Sequence, residues 1–165
     1  MDTALIKRSE RVAFYGVPDS SGVPNGASTI FHRMTHFTDM SISKNPKEYK
    51  RKYVDEDNER SDITGYSTAI AYNFDYCDGN SVHDDMVFIA NHELTADDAA
   101  RSIVVVDIFK ETDNAEIREY AVMPDKEGDS GDVYTFGGSF KSRGVKTFGT
   151  ATSADGWQTV TFTAE

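Results

Sequence analysis

The stretch 66–76, YSTAIAYNFDY, sorts its side chains by parity: Thr68, Ile70, Tyr72, Phe74 and Tyr76 alternate with Ser67, Ala69, Ala71, Asn73 and Asp75. Side chains along a strand point to opposite faces with a period of two, so this stretch predicts one long strand with a buried, largely aromatic face and an open face of small or polar groups. Working outward, 11–17 (RVAFYGV), 102–109 (SIVVVDIF), 117–123 (IREYAVM) and 157–162 (WQTVTF) are rich in Val, Ile, Phe and Tyr and bounded by polar or turn residues, and they read as further strands. Two more cover 132–141 and 145–152, the first broken at Gly137 and Gly138, where the missing side chains predict a bulge or a close backbone approach. The stretch 29–43, TIFHRMTHFTDMSIS, also alternates and reads as a strand. One helix interrupts this pattern, over 81–93: Asn80 or Ser81 caps it, Asp84 sits in its first turn, and Val82, Met86 and Ile89 share a face that should cover the sheet. A second, shorter helix is expected over 96–101, opening at Thr95 with Asp97 and Asp98 near its positive end. The fold class is therefore mostly β with one flanking helix, in a single domain spanning 1–165 with a mobile N-terminal segment 1–10.

Composition narrows the function. Acidic residues outnumber basic ones, 28 to 17, for a net charge of −11, which argues against any protein that holds nucleic acid by neutralising phosphates. DNA can pass such a chain without being held. Only 38% of residues are hydrophobic while Tyr and Phe number 8 and 10, so the core is expected to be thin and aromatic, with some segments ordering only against partners. A single cysteine, Cys77, allows no internal disulfide and fits synthesis in a reducing compartment. No apolar run approaches the length of a membrane span, and the charged N-terminus does not read as a signal peptide.

Motifs that carry chemistry are scarce in this chain. There is no phosphate-binding glycine motif and no nucleophile elbow. His32, His36, His83 and His92 lie outside any zinc spacing, and His83 reads as a residue that alanine can replace at little cost. The loop 125–132, DKEGDSGD, offers Asp125, Glu127, Asp129 and Asp132 as oxygen ligands in an order that does not match the helix-loop-helix calcium signature. Neither a cofactor nor an enzyme activity is expected. A binding module for carbohydrate or a host surface, using Trp157, Tyr134 and Phe136 beside Asp129, is the alternative reading.

Two segments look like extensions. The stretch 19–29, DSSGVPNGAST, has the composition of a surface loop. The stretch 44–62, KNPKEYKRKYVDEDNERSD, segregates charge: Lys44, Lys47, Lys50, Arg51 and Lys52 come first, then Asp55, Glu56, Asp57, Glu59 and Asp62, with Tyr49, Tyr53 and Val54 as its apolar groups. Such a segment can fold back as a hairpin, or the basic half of one copy can meet the acidic half of another in a head-to-tail contact. It is expected to be an assembly arm, mobile in the monomer.

Four stretches taken together, 31–76, 81–93 (SVHDDMVFIANHE), 101–109 (RSIVVVDIF) and 137–162 (GGSFKSRGVKTFGTATSADGWQTVTF), resemble the major tail protein, or tail tube protein, of tailed bacteriophages of Gram-positive hosts. The likeness includes the phrases NPKEY at 45–49 and YVDE at 53–56 and runs from about residue 11 to 162. It implies a β-sandwich or barrel related to type VI secretion tube proteins, assembled as hexameric rings stacked into a hollow conduit for DNA ejection. It implies as partners further copies of the chain and the tape measure, tail terminator and distal tail proteins, and a place in the virion after synthesis in the host cytoplasm. In such a tube Ser67, Ala69, Ala71, Asn73 and Asp75 are the candidates to face the lumen. An acidic or neutral wall suits that role, because cations would recruit phosphate contacts and slow the passing DNA.

Overall fold

The computed structural model describes residues 3–17, 30–128 and 130–165; the loop expected at 19–29 and the acidic Asp129 lie outside them. A short 3-10 turn, Arg8–Glu10, leads into β1 (Arg11–Tyr15). The chain continues through β2 (Ile30–Arg33), β3 (Phe37–Ser43), β4 (Pro46–Arg51), β5 (Arg60–Tyr66) and β6 (Ala69–Asp75). Then come α1 (Ser81–Asn91), a 3-10 turn (Ala96–Ala99), β7 (Ala100–Asp107), β8 (Ala115–Glu127), β9 (Thr135–Ser142), β10 (Thr147–Thr152) and β11 (Thr159–Ala164).

Nine strands form one antiparallel sheet in the order β10-β11-β2-β1-β7-β8-β9-β6-β3, and β10 pairs again with β8. That second pairing closes β8, β7, β1, β2, β11 and β10 into a six-stranded ring. The 13-residue β8 serves both parts: Ala115, Glu116 and Ile117 face β10, while Tyr120 to Glu127 pair with β9. Past this junction β9, β6 and β3 form a second layer lying over the outer wall of the ring. The register shifts between Pro124 and Lys126 of β8, opposite Gly138. A Cβ at Gly138 would lie 2.3 Å from the Met123 carbonyl oxygen, so the close approach expected at this glycine is present and admits no side chain.

Two cores follow from this arrangement. Inside the ring, Val12, Phe14, Phe31, Val104, Val106 and Val160 pack together. Between the ring wall and the second layer, Tyr15, Ile103 and Val105 meet Ile70, Tyr72, Phe74, Phe136 and Phe140, and the buried face of α1 joins them. Strand β7 contributes to both cores, which explains why its middle, Ile103 to Val106, is a continuous apolar run and not an alternation.

The decisive stretch behaves as its alternation requires, with Ile70, Tyr72 and Phe74 buried and Ala69, Ala71, Asn73 and Asp75 turned away from the core. It is shorter than expected: Tyr66 ends β5, Ser67 and Thr68 form a link, and Tyr76 lies past β6. The stretch 29–43 is two strands, not one. It crosses from the ring to the second layer at Met34, whose N–H donates to the Ala13 carbonyl (3.1 Å), and His36 takes a φ of 63°, a left-handed conformation that no regular strand accommodates.

Helix α1 carries the expected cap, the Asn80 side chain accepting from the N–H groups of Val82 (3.1 Å) and His83 (3.3 Å). Val82, Met86 and Ile89 are buried as expected, with Val87 and His83 beside them. His83 differs from its expected role. It is fully buried, its Nε2 donates to the Thr35 carbonyl (2.8 Å), its Nδ1 accepts from the Cys77 N–H (3.1 Å), and its ring stacks on Phe74 at 4.4 Å. His83 thus pins the chain crossing to the end of β6, so His83→Ala is expected to cost about 2–4 kcal/mol through a cavity and two orphaned backbone groups, measured by urea denaturation. Burial holds the imidazole pKa below its usual 6.5. Its unfolded form therefore binds a proton more readily, and stability should decline as pH falls below about 6.5, a slope absent from a His83→Gln variant.

Candidate functional site: the hairpin arm and the open sheet face

Strands β4 and β5 pair with each other and with no strand of the large sheet. Their hairpin leaves the second layer between β3 and β6, tied at its base where the Ser67 N–H donates to the Lys44 carbonyl (3.1 Å) and the Asn45 side chain donates to the Ser67 carbonyl (3.0 Å). The segment expected as an arm over 44–62 is thus a two-stranded hairpin that continues to Tyr66. A strand buried on one face should have one protected row of side chains, whereas every residue of β4 is exposed and, in β5, all but Gly65 are. Tyr49, Tyr53, Ile63 and Tyr66 are each between 42% and 59% exposed, and Val54 is fully so. An isolated two-stranded hairpin is at best marginally stable in water, so this one carries apolar surface that its own fold does not use.

Charge is organised along the hairpin. Tyr49 shares a face with Arg51, whose guanidinium donates to the Tyr49 hydroxyl through Nε at 2.6 Å and lies 5.2 Å from the ring centroid. Lys50 sits on the opposite face near Glu48 (3.9 Å), while Arg51 stands directly across from Arg60, a like-charge pairing that costs free energy in the isolated chain. Beyond β4, Lys52, Tyr53, Asp55, Glu56 and Asp57 form the tip, where Arg60 approaches Glu56 at 3.7 Å and the Tyr53 ring at 6.0 Å. Lys44 and Lys47 lie at the basic base, and repulsion from Lys146 lowers the Lys44 pKa. The stem is basic, the tip acidic, and their separation along the hairpin prevents full neutralisation within one copy.

The other candidate surface is the face of β6 that is turned away from both cores. Ala69, Ala71, Asn73 and Asp75 lie on it with Ser67 just before the strand, and Gly137 and Ser139 of β9 stand opposite Asn73 and Ala71. Two cations of neighbouring strands share this face: Lys141 of β9 stands opposite Ala69, and Lys126 of β8 stands opposite Gly137. The free edge of the sheet is β3, which pairs with β6 on one side only.

Of the alternative binding constellation, Tyr134 and Phe136 meet at 5.3 Å between ring centroids and the Tyr134 hydroxyl donates to Glu127 (3.0 Å), but Trp157 lies apart from them and Asp129 is outside the described residues. Trp157 packs against the ring core, Phe136 is buried in the second core, and of the three only Tyr134 is largely exposed. Among the described residues no cluster of His, Cys, Asp and Glu could hold a metal ion, and no helix is long and apolar enough to cross a membrane. Sequence reasoning missed one polar cluster, Asp85 with Arg101 and Tyr15, which is structural and buried; its only signal was an Arg at the head of an otherwise apolar strand.

No family model matches the chain, and no curated protein matches it. Among solved structures, a chain in a six-fold symmetrised cryo-EM structure of the anti-feeding prophage baseplate is similar at a TM-score of 0.49 and 9% identity, over 90% of this chain and 97% of that one.

Proposed function

We propose that this chain is a structural, non-enzymatic subunit of a bacteriophage tail that assembles with copies of itself into rings stacked as a hollow tube. The observation that carries the reading is the hairpin arm, exposed along both strands, with Tyr49, Tyr53, Val54, Ile63 and Tyr66 left uncovered by the described residues. Such a surface gains its stabilisation by docking between copies, and in a ring each contact recurs for every subunit. The resemblance of 31–76, 81–93, 101–109 and 137–162 to tail tube proteins supplies the identity of the assembly, with tape measure, terminator and distal tail proteins as its partners. The acidic balance fits a conduit through which DNA moves without being held.

In this reading Ser67, Ala69, Ala71, Asn73 and Asp75 line the lumen. Phage carrying Asn73→Lys and Asp75→Lys should form normal tails yet eject DNA more slowly at low salt, the deficit shrinking as salt screens the added cations. Unchanged ejection at low salt would remove this face from the lumen.

A further inference from the structure

The two ends of the hairpin are chemically matched. Its tip carries Asp55, Asp57 and Glu59 exposed around Tyr53, 47% exposed, and Val54, which projects fully into solvent. At the foot of the same hairpin, where β3 and β6 lie against β1 and β7, a groove of ≈ 320 Å³ opens to the surface. Its floor is apolar, with Met40, Ile42, Ile70 and Val105, and Ile42 remains 45% exposed. Lys7, Arg8 and Arg11 form its rim. Arg11 is already held by Asp107 (2.7 Å) and Glu116 (3.3 Å). The other two cations lack a carboxylate among the described residues. Arg8 donates to the carbonyl oxygens of Arg11 (2.7 Å) and Met40 (3.3 Å), which do not neutralise it, and Glu10, the acid nearest in sequence, accepts from the Lys7 backbone N–H. Lys7 and Arg8 are not alone in this, since Lys47, Lys52 and Lys141 also meet no carboxylate among the described residues, but these two flank an exposed apolar floor.

We propose that the arm tip of one copy seats in this groove on the next copy, Tyr53 and Val54 covering Met40 and Ile42 while Asp55 and Asp57 pair with Lys7 and Arg8. The proposal rests on the assembly reading above and names the surface the arm meets. Six paired residues of β4 extend the hairpin by about 20 Å, so it carries its tip away from its own foot and favours contact with another copy over closure within one. Tip and groove are different surfaces, so the contact is heterologous and propagates from copy to copy. Charge at the rim sets register and apolar burial at the centre gives adhesion.

Disulfide trapping reads the contact directly. The full chain with Cys77→Ser, Ile42→Cys and Val54→Cys, oxidised mildly at a concentration where the unmodified protein self-associates, should give a ladder of linked multimers on non-reducing electrophoresis. Neither single-cysteine variant should do so. Dimers from Val54→Cys alone, or monomers only from the double variant, would overturn the tip-in-groove contact while leaving assembly intact. Failure of the unmodified protein to self-associate would sink the assembly reading and this proposal with it. In parallel, Lys7→Glu with Arg8→Glu should reduce self-association at least tenfold, and adding Asp55→Lys with Asp57→Lys to the same chain should recover most of it. Unchanged association in the first variant, or no recovery in the second, counts against the pairing.

Discussion

Asp85→Ala should destabilise the subunit by about 3–5 kcal/mol, among the largest losses a single substitution in this chain can cause. Asp85 lies on α1, beside the apolar face, and its carboxylate accepts from Arg101 Nε (2.8 Å) and Nη2 (3.2 Å) and from the Tyr15 hydroxyl. It therefore joins the helix to β7 and β1, the two strands that divide the cores. The Arg101 and Asp85 side chains are only 8% and 11% exposed, and Tyr15 is completely buried. Removing the carboxylate strands a guanidinium and a phenol in an apolar setting, which costs about 3–5 kcal/mol, a large share of the 5–15 kcal/mol that typically separates folded from unfolded chains. Burial, reinforced by the Asp85 charge, pushes the Tyr15 pKa well above 10, so the phenol stays protonated and remains a donor. Replacing the whole pair, Asp85→Leu with Arg101→Met, should recover most of the loss, since no charge is then left unpaired. Urea denaturation of the three proteins decides the matter: a single variant as stable as the unmodified chain would show that the cluster does not join the layers.

The second large effect is on assembly and spares the fold. Lys50→Glu, Arg51→Glu and Lys52→Glu together turn the basic stem of the arm acidic, on a chain whose net charge is already −11. Exposed ion pairs contribute only about 0–1 kcal/mol each, but in the proposed ring every contact would repeat and the exposed Tyr49 and Tyr53 would anchor a desolvated centre. The triple variant should remain monomeric at concentrations where the unmodified chain assembles, with an unchanged denaturation midpoint because none of the three side chains belongs to either core. Adding Asp55→Lys, Glu56→Lys and Asp57→Lys should not restore assembly, because the tip then meets Lys7 and Arg8 of the next copy with like charge; recovery would instead place the tip against a stem and overturn the tip-in-groove contact. Normal assembly by the first triple variant would make the arm a bystander and shift the interface to the free edge at β3.

What the sequence made legible follows the range of the interactions. The open and buried faces of β6, the Asn80 cap and the Gly138 approach are local or nearly so, and period, cap chemistry and a missing side chain announce them. Closure of the ring is not local: β10 meets β8 through Thr147 opposite Ile117 and Gly149 opposite Ala115, a register no periodicity encodes. The break at 34–36 was hidden for the same reason, because alternation persists on both sides of a crossing between layers. Nothing local to Asp85 announces that Arg101, sixteen residues away, donates to it. The arm was readable as an outlier in charge order, while its hairpin form was only one of two options, since nothing in its own sequence supplies a core.

Self-association is the property on which the account turns, and sedimentation velocity of the purified full-length chain over a wide concentration range, with negative-stain microscopy of the heaviest fraction, measures it most directly. The account predicts species larger than a dimer that grow with concentration and appear as rings or hollow tubes. A chain that sediments as a monomer at every concentration, and whose melting temperature rises when sugar or calcium is added, would contradict it and favour a surface-binding module.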